Sequence, residues 1–327
     1  MALPDTTTVD FAEATAPYRR ELFAHCYRMT GSVGDAEDLV QETYLRAWRS
    51  FDRFEHRSSV RTWLYRIATN VCLSALPHAR RRPLPSGLGP PSSDPYAATT
   101  PAPDVLGWLE PVPDHLVLDD RGDPADVVAA RHQVRLALVA ALQLLPPRQR
   151  AALILSEVLG LPAADTAQLL EVSVAAVKSL LQRARATVAR ASLSAADVAE
   201  PDDPAARRLL DRYMAAFERS DAAEITRLLA EDAVLEMTGT STWFSGKATC
   251  APFVVAQGIG TPGDWRMVPL EANGQLAAAA YRRGPEQAYL PFAIVVLATT
   301  RSHLSRITLF TDVALFARFA LPAPLAA

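Results

Sequence analysis

The sequence predicts two all-α modules followed by an α+β domain, three units in a single chain of 327 residues. Three observations predict it. Apolar residues recur at helical spacing of three to four over residues 8–82 and again over residues 127–194. Between them, residues 83–126 hold 10 of the 25 prolines and 8 acidic residues against Arg121 alone. From residue 203 the pattern changes, with two helical periods followed by alternating or continuous apolar runs that read as strands.

In the first module, Phe11, Tyr18, Leu22, Cys26 and Met29 predict a helix over residues 10–30, and Gly31 can close it. A second helix begins at Asp35 in DAEDLVQETYLRAWRSF, with acids in its first turn where the helix dipole favours them. Its predicted apolar stripe is Leu39, Val40, Thr43, Ala47, Trp48 and Phe51. The opposite face presents Glu37, Asp38, Gln41, Glu42, Leu45 and Arg49. A third helix starts at Ser58 or Ser59, either of which can cap it, in SSVRTWLYRIATNVCLSAL. Here Trp63 and Tyr65 are interleaved with Arg57, Arg61, Arg66 and Asn70, and Arg80, Arg81 and Arg82 follow. Unpaired bases offer faces to rings and phosphates to arginines, so this mixture suits a single-stranded nucleic-acid site. Trp63 and Ile67 equally suit a core, with the arginines on its surface.

The second module opens with an amphipathic helix over residues 126–145, which Pro146 and Pro147 end. A lead-in helix over residues 148–159, a helix over residues 162–170, the turn Glu171, Val172, Ser173 and a helix over residues 174–190 then follow the grammar of a helix-turn-helix. At 100° per residue the last helix turns Val174, Val177, Leu180, Leu181, Ala184 and Val188 inward. Ala175, Lys178, Ser179, Gln182 and Ala186 face outward, with Arg183 and Arg185 at the margins. Small residues permit close approach to a groove, Gln and Lys reach base edges, and Arg meets phosphate. Ser173 is the predicted N-cap, and Val172 with Val177 a hydrophobic staple across it.

The formal net charge of −3 conceals an uneven distribution. Residues 10–82 hold 12 basic and 9 acidic groups, and residues 127–196 hold 8 and 3, so two basic modules flank an acidic connector. That connector reads as an extended linker without a core of its own, although Trp108, Leu109, Val112, Leu116 and Leu118 predict a segment pinned to a neighbouring domain. Three widely spaced cysteines, Cys26, Cys72 and Cys250, form no metal-binding pattern and suit buried thiols in a reducing compartment. The start MALPDTTTVDF lacks the marks of a signal peptide, and no apolar run reaches about 18 residues, so a cytoplasmic protein with no membrane partner is expected.

Helices are predicted over residues 204–219, 221–230, 247–256 and 312–320, and strands near 233–237, 265–272, 276–283, 287–299 and 303–311. Helices first and an antiparallel sheet afterwards indicate an α+β cone.

The runs DAEDLVQETYLRAWRSFDRF and SSVRTWLYRIATNVCL together resemble region 2 of the extracytoplasmic-function (ECF) sigma factors of bacterial RNA polymerase. LPPRQRAALILSEVLGLPAADTAQLLEVSVAAVKSLLQRAR resembles their region 4. The resemblance covers roughly half the chain, with both blocks in the family's order. It implies that Asp35, Glu37, Asp38, Gln41 and Glu42 dock on core RNA polymerase. It implies further that Phe54, His56, Arg57, Ser58, Arg61, Trp63, Arg66 and Asn70 open the minus-ten element of promoter DNA and hold an extruded base. Ser173, Ala175, Lys178, Ser179, Gln182 and Arg183 would read the minus-thirty-five element. Two departures stand out: His56 and Glu171 occupy positions where relatives often carry Gly.

Residues 203–322, in DRYMAAFERSDAAEITRLLAEDAVLEM, ANGQLAAAAYRR and RITLFTDVALFARF, resemble a SnoaL-like domain more loosely, by pattern and order. Such domains include cyclases and isomerases, which need a carboxylate base opposite an oxyanion hole. Asp232, Glu236, Tyr213, Tyr281 and His303 are the available types, and their spacing marks no pair, so no catalytic residue, metal or cofactor is assigned. Trp243, Phe244 and Phe253 fill the cone's core or line its mouth. The reading is a sigma factor whose SnoaL-like domain regulates it, with any small ligand of that domain unidentified. A stand-alone helix-turn-helix regulator and a SnoaL-type enzyme fused to a DNA-binding module are the alternatives.

Overall fold

The structure, a computed structural model, describes residues 6–55, 58–76, 82–103, 107–119, 123–190, 198–284 and 288–325. In chain order its helices are α1 (Thr6–Thr15), α2 (Arg19–Thr30), α3 (Val33–Ser50), α4 (Val60–Ala75), α5 (Asp114–Val117), α6 (Pro124–Val134), α7 (Leu136–Gln143), α8 (Pro147–Leu153), α9 (Ala163–Leu170), α10 (Val174–Arg190), α11 (Pro204–Glu218), α12 (Ala222–Leu228), α13 (Lys247–Phe253) and α14 (Ala314–Arg318). The strands are β1 (Leu229–Met237), β2 (Trp243–Ser245), β3 (Trp265–Ala272), β4 (Gln275–Arg283), β5 (Tyr289–Thr299) and β6 (Leu304–Phe310). Two compact units result. A helical unit takes its residues from Met1–Arg82, His115–Asp119 and Ala137–Leu193, and a cone unit from Pro83–Asp114, Asp120–Leu136 and Ser194–Ala327.

In the helical unit, the helix expected over residues 10–30 is two. Pro17 sits in a short 3₁₀ turn, Ala16–Tyr18, between α1 and α2, because a residue without an N–H cannot continue the α-helical ladder. Gly31 closes α2 in the left-handed conformation (φ +71°), and the Ser32 hydroxyl then accepts the Asp35 amide at 3.2 Å to cap α3. The buried seam of α3 is Val33, Ala36, Val40, Thr43 and Ala47. Its narrow 3-4 spacing lets α2 and α4 approach closely over the small residues, and the broader stripe predicted through Leu39 and Trp48 is corrected. Leu39 is half-buried and Trp48 is 53% exposed.

Helices α8 and α9 rest on α2 and α4, so both helical modules share one packed unit. A buried polar cluster joins them. The Arg150 guanidinium donates to the Met29 carbonyl at the end of α2, to the Gln143 side chain (2.7 Å) and to the Leu145 carbonyl (3.1 Å). Gln143 donates to the Arg28 carbonyl (3.2 Å).

In the cone unit, six strands form one sheet in the order β2-β1-β6-β5-β4-β3. All neighbours are antiparallel apart from β1 and β6, which run parallel, correcting the expectation of a wholly antiparallel sheet. Period-two alternation places strands and does not encode which strand returns beside the first. Strand β2, three residues long, is too short to show a period. Helix α11 lies across β3, β4 and β5, and Ala206, Leu209, Leu210, Tyr213 and Ala216 form its buried face.

The Pro-rich segment is docked on the cone. Trp243 Nε1 donates to the Gly89 carbonyl (2.8 Å), and the amides of Ser92, Thr100 and Ala102 reach the β1–β2 hairpin. Asn273 exchanges two bonds with Val112, each of 3.0 Å, and Leu109 and Val112 are fully buried. The single helix expected over residues 126–145 breaks at Arg135 (ψ 137°), between α6 and α7. Asn273 Nδ2 takes the Val134 carbonyl there, and buried Arg135 turns to Glu200 at 2.5 Å. Among the described residues no helix is long and apolar enough to cross a membrane, and no metal-ligand cluster occurs. All three cysteines are free and buried, as expected.

His25, fully buried between Tyr65 and Thr69, generates a pH prediction. Burial, reinforced by the Arg28 charge, lowers its pKa from 6.5 to about 3. Below pH 6.5 the unfolded chain therefore binds a proton that the folded unit refuses. This contribution to stability is intact above pH 6.5 and is lost as pH falls toward 3, at up to about 1.4 kcal/mol per pH unit. Urea titrations at pH 7.5 and 4.5 should show a smaller loss for His25→Gln than for the natural chain; equal losses would refute the assignment.

Candidate nucleic-acid interface

Helix α10 is oriented by the turn before it. Glu171 adopts the left-handed conformation (φ +53°, ψ +48°) and ends α9, its amide returning to the Gln168 carbonyl. This is where a Gly would sit without steric cost, so the departure noted in the sequence is accommodated by strain rather than by a different turn. Ser173 Oγ accepts the Ala176 amide at 3.2 Å, fulfilling the predicted cap. Val177, Leu181 and Ala184 are buried against α8 and α9, whereas Val174, expected to face inward, is 41% exposed at the first turn.

The outward face matches the sequence reading. Ala175, Lys178, Gln182, Arg183 and Ala186 are exposed and Ser179 is half-buried, with Arg183 Nη1 donating to Ser179 Oγ at 2.8 Å. Arg185 is held differently, by Glu157 at 2.5 Å. Lys178 and Gln182, one turn apart, form a small polar platform flanked by alanines, the shape a groove-entering helix requires.

On α3, Glu37, Asp38 and Gln41 are exposed and Glu42 pairs with Arg46 at 2.6 Å. Asp35 is already paired within the helical unit, with Arg82 at 2.6 Å, so it braces this face more than it presents a free charge. Leu45 (49% exposed) and Trp48 lie among these acids. The helical period of Trp48 points it into the core; the signal for its exposure is that the small-residue seam is already complete without it.

The loop and α4 bring together only some of the residues assigned to strand opening. His56 and Arg57 lie outside the described residues, as do Arg80 and Arg81. Ser58 and Arg66 are exposed, and Asn70 is half-buried. Arg61 donates to Glu21 at 2.7 Å and stacks over the Tyr65 ring at 5.1 Å. Trp63 is 6% exposed, with Phe54 on its ring (centroids 4.8 Å apart) and Phe51 at 6.2 Å. In this arrangement Trp63 is the floor on which Phe54 rests, which follows the core reading of the ring.

The chain matches two protein families, Sigma-70 region 2 over residues 16–82 and Sigma-70, region 4 over residues 135–188. It is 50% identical over 315 residues to the ECF RNA polymerase sigma factor SigG of Mycobacterium tuberculosis, a match spanning 96% of this chain and 84% of the relative. The chain belongs to the ECF RNA polymerase sigma factors. This sigma factor is also 34% identical to SigJ of M. tuberculosis strain H37Rv over 235 residues, 71% of this chain and 65% of the relative. The crystal structure of SigJ superposes with a TM-score of 0.60 at 24% identity, covering 97% of this chain and 99% of the other, so the fold is a known one. As a sigma factor it acts with core RNA polymerase on promoter DNA. Its relatives are sigma factors, which are not enzymes.

Because Glu171 stores strain in the turn, Glu171→Gly should stabilise the helical unit by roughly 0.5–1 kcal/mol, the left-handed penalty less the entropy of a more flexible unfolded chain. Equilibrium urea unfolding measures this, and a destabilised variant would contradict it.

Proposed function

We propose that this cytoplasmic sigma factor reads the minus-thirty-five element through the outward face of α10, with Lys178, Ser179 and Gln182 toward base edges and Arg183 toward phosphate. Ser173 caps the helix, and Ala175 permits close approach. The exposed face of α3, with Glu37, Asp38, Gln41 and Glu42 around Leu45 and Trp48, docks on core polymerase, and Asp35 orients it through Arg82. At the minus-ten element, Arg66, Ser58 and Asn70 meet the strand, with Trp63 supporting Phe54 and Arg61 braced by Glu21, and His56 and Arg57 join them by their place in the sequence. Promoter elements lie apart along the duplex, so the packed helical unit is a resting form whose two halves separate on the polymerase. The domain limits proposed from the sequence, residues 8–82, 83–126, 127–194 and 203–322, describe these jobs. The observation that carries the reading is the pairing of an exposed Lys178/Gln182 platform with an inward Val177, Leu181, Ala184 seam on one capped helix.

The test is transcription by core polymerase from a pool of genomic fragments, with and without the chain. New start sites should appear only with it. The double variant Lys178→Ala, Gln182→Ala should lower initiation at those sites by tenfold or more, since a good base contact is worth about 1–3 kcal/mol. Arg185→Ala, which loses only its partner Glu157, should change it little. Start sites that persist at full rate in the double variant would sink the assignment of α10.

The cone domain regulates by holding the segment that joins the two DNA-reading modules. Asn273 supports this reading: at φ +58° its side chain binds Val112, before the stretch that leads into α6, and Val134, at the end of α6. Asn273→Gly keeps the backbone conformation and deletes both bonds. It should change the initiation rate at the same promoters several-fold, and an unchanged rate would remove the regulatory role.

A further inference from the structure

In the first turn of α4, Arg61 is held by two side chains that stand outside the residues assigned to the promoter. Its Nε donates to Glu21 Oε2 on α2 at 2.7 Å, and the Tyr65 hydroxyl donates to the same oxygen at 3.1 Å. The Tyr65 ring lies beneath the guanidinium, 5.1 Å from its carbon, and is itself buried, with His25 edge-on to it at 5.3 Å. Burial raises the Tyr65 pKa, so the hydroxyl keeps its proton and serves as a donor. A chain of contacts thus runs outward from the core, from Tyr65 to Glu21 to Arg61, whose side chain is 40% exposed. Among the described residues Glu21 is the one carboxylate paired with Arg61. An ion pair between two side chains this exposed adds little to stability, so what it fixes is direction.

We infer that Glu21 and Tyr65 are positioning residues that aim Arg61 at a backbone phosphate of the opened minus-ten strand. With Nε taken by the carboxylate and the ring face setting its plane, the guanidinium keeps its two terminal nitrogens as a fork for the two oxygens of a phosphate. An arginine free to turn loses that freedom when it binds; here it is lost when the unit folds, so the contact costs less at the promoter. Glu21 does not act by attraction, because a carboxylate repels the strand and cancels part of the Arg61 charge. Charge and direction therefore predict opposite results for its removal. An interface driven by attraction alone binds more tightly without Glu21, and one that depends on the aim of Arg61 binds more weakly.

The inference rests on the minus-ten reading of α4 and adds to it two residues that the reading does not contain. Holoenzyme formed from core polymerase and the full chain, on a promoter taken from the mapped start sites, is followed by permanganate reactivity of the opened strand. Arg61→Ala should lower opening about tenfold, the size of one charge-assisted phosphate contact. Glu21→Ala and Tyr65→Phe should each lower it about threefold to fivefold, and Glu21→Gln, which keeps an acceptor for Nε, should recover part of the loss. None of the three changes should matter once Arg61 is alanine. The salt dependence of holoenzyme binding should flatten by about one phosphate in Arg61→Ala, and by part of that in Glu21→Ala. If Glu21→Ala unfolds the helical unit by leaving the Tyr65 hydroxyl unpaired, Tyr65→Phe, which keeps the ring, carries the test. Opening that is unchanged or stronger in the folded variants at Glu21 and Tyr65, or losses that persist in the Arg61→Ala background, would overturn the inference. Failure of the minus-ten reading would look different, with Arg61→Ala, Arg66→Ala and Asn70→Ala all opening the promoter at full rate.

Discussion

The helical unit depends on one buried cation. Every α-helix ends in four carbonyls without intrahelical donors, and the end of α2 presents its own to the interior rather than to water. Arg150, itself only 6% exposed, brings its fan of donors to that end, while Gln143 covers the Arg28 carbonyl beside it. Each group needs the other. Without Arg150 the carbonyls would be buried unpaired, and without the carbonyls a guanidinium would be buried among Leu and Ala. The contact joins a helix of the first module to a helix of the second, so the sequence-distant halves pack through a polar bond with defined geometry rather than through apolar area alone. A junction of this kind is selective and separable. Water can satisfy the carbonyls and the guanidinium alike once the halves part, which an apolar seam would not allow.

The cone unit has a counterpart in Glu236, whose carboxylate is fully buried between Arg306 (2.6 Å) and the Thr308 hydroxyl (3.4 Å), with the Ser86 amide donating at 3.1 Å. Glu236 is thus committed to structure, tying the Pro-rich segment to β1 and β6. Tyr281 is likewise spent on the Pro322 carbonyl at 2.9 Å, while Asp232 and His303 are exposed. Phe244 fills the core, Phe253 lines a cavity of the cone unit, and Trp243 holds Gly89, so the three aromatic residues flagged near the cone mouth divide among three jobs.

Local chemistry made much of this legible from sequence. The cap at Ser173, the stop at Gly31 and the break before Pro147 each follow from one residue type at one position, the α4 cap falls on Ser59 of the two serines offered, most of the inward seam of α10 follows from its period, and period-two alternation located β3 to its end residues. What escaped was set at long range. A helical period points Trp48 inward because it does not encode how narrow the packed seam is. The break at Arg135 has no Pro or Gly to announce it; it exists because Asn273 and Glu200, from distant parts of the chain, supply better partners than another helical turn. The parallel pairing of β1 with β6 is a property of topology. For the nucleic-acid face the outward residues of α10 were readable, whereas the internal pairing of Asp35 with Arg82 and of Arg61 with Glu21 was not, since a charge pattern does not disclose which charges are already matched.

The docking of the Pro-rich segment changes what that composition means. A free stretch over residues 83–126 could span up to roughly 150 Å at about 3.4 Å per residue, enough to leave the flanking modules independent. Here it is fastened at Ser86, Gly89, Thr100 and Val112, and again beyond α5 where Arg131 meets Asp202 at 2.6 Å. Prolines, which cannot donate to a sheet and resist helix, are then an advantage: they keep the segment extended, so that its remaining amides meet a fixed series of acceptors on the cone at little further entropic cost. The same composition that reads as a spacer therefore builds a strap, and its effective length is decided by how many of those bonds are closed at once.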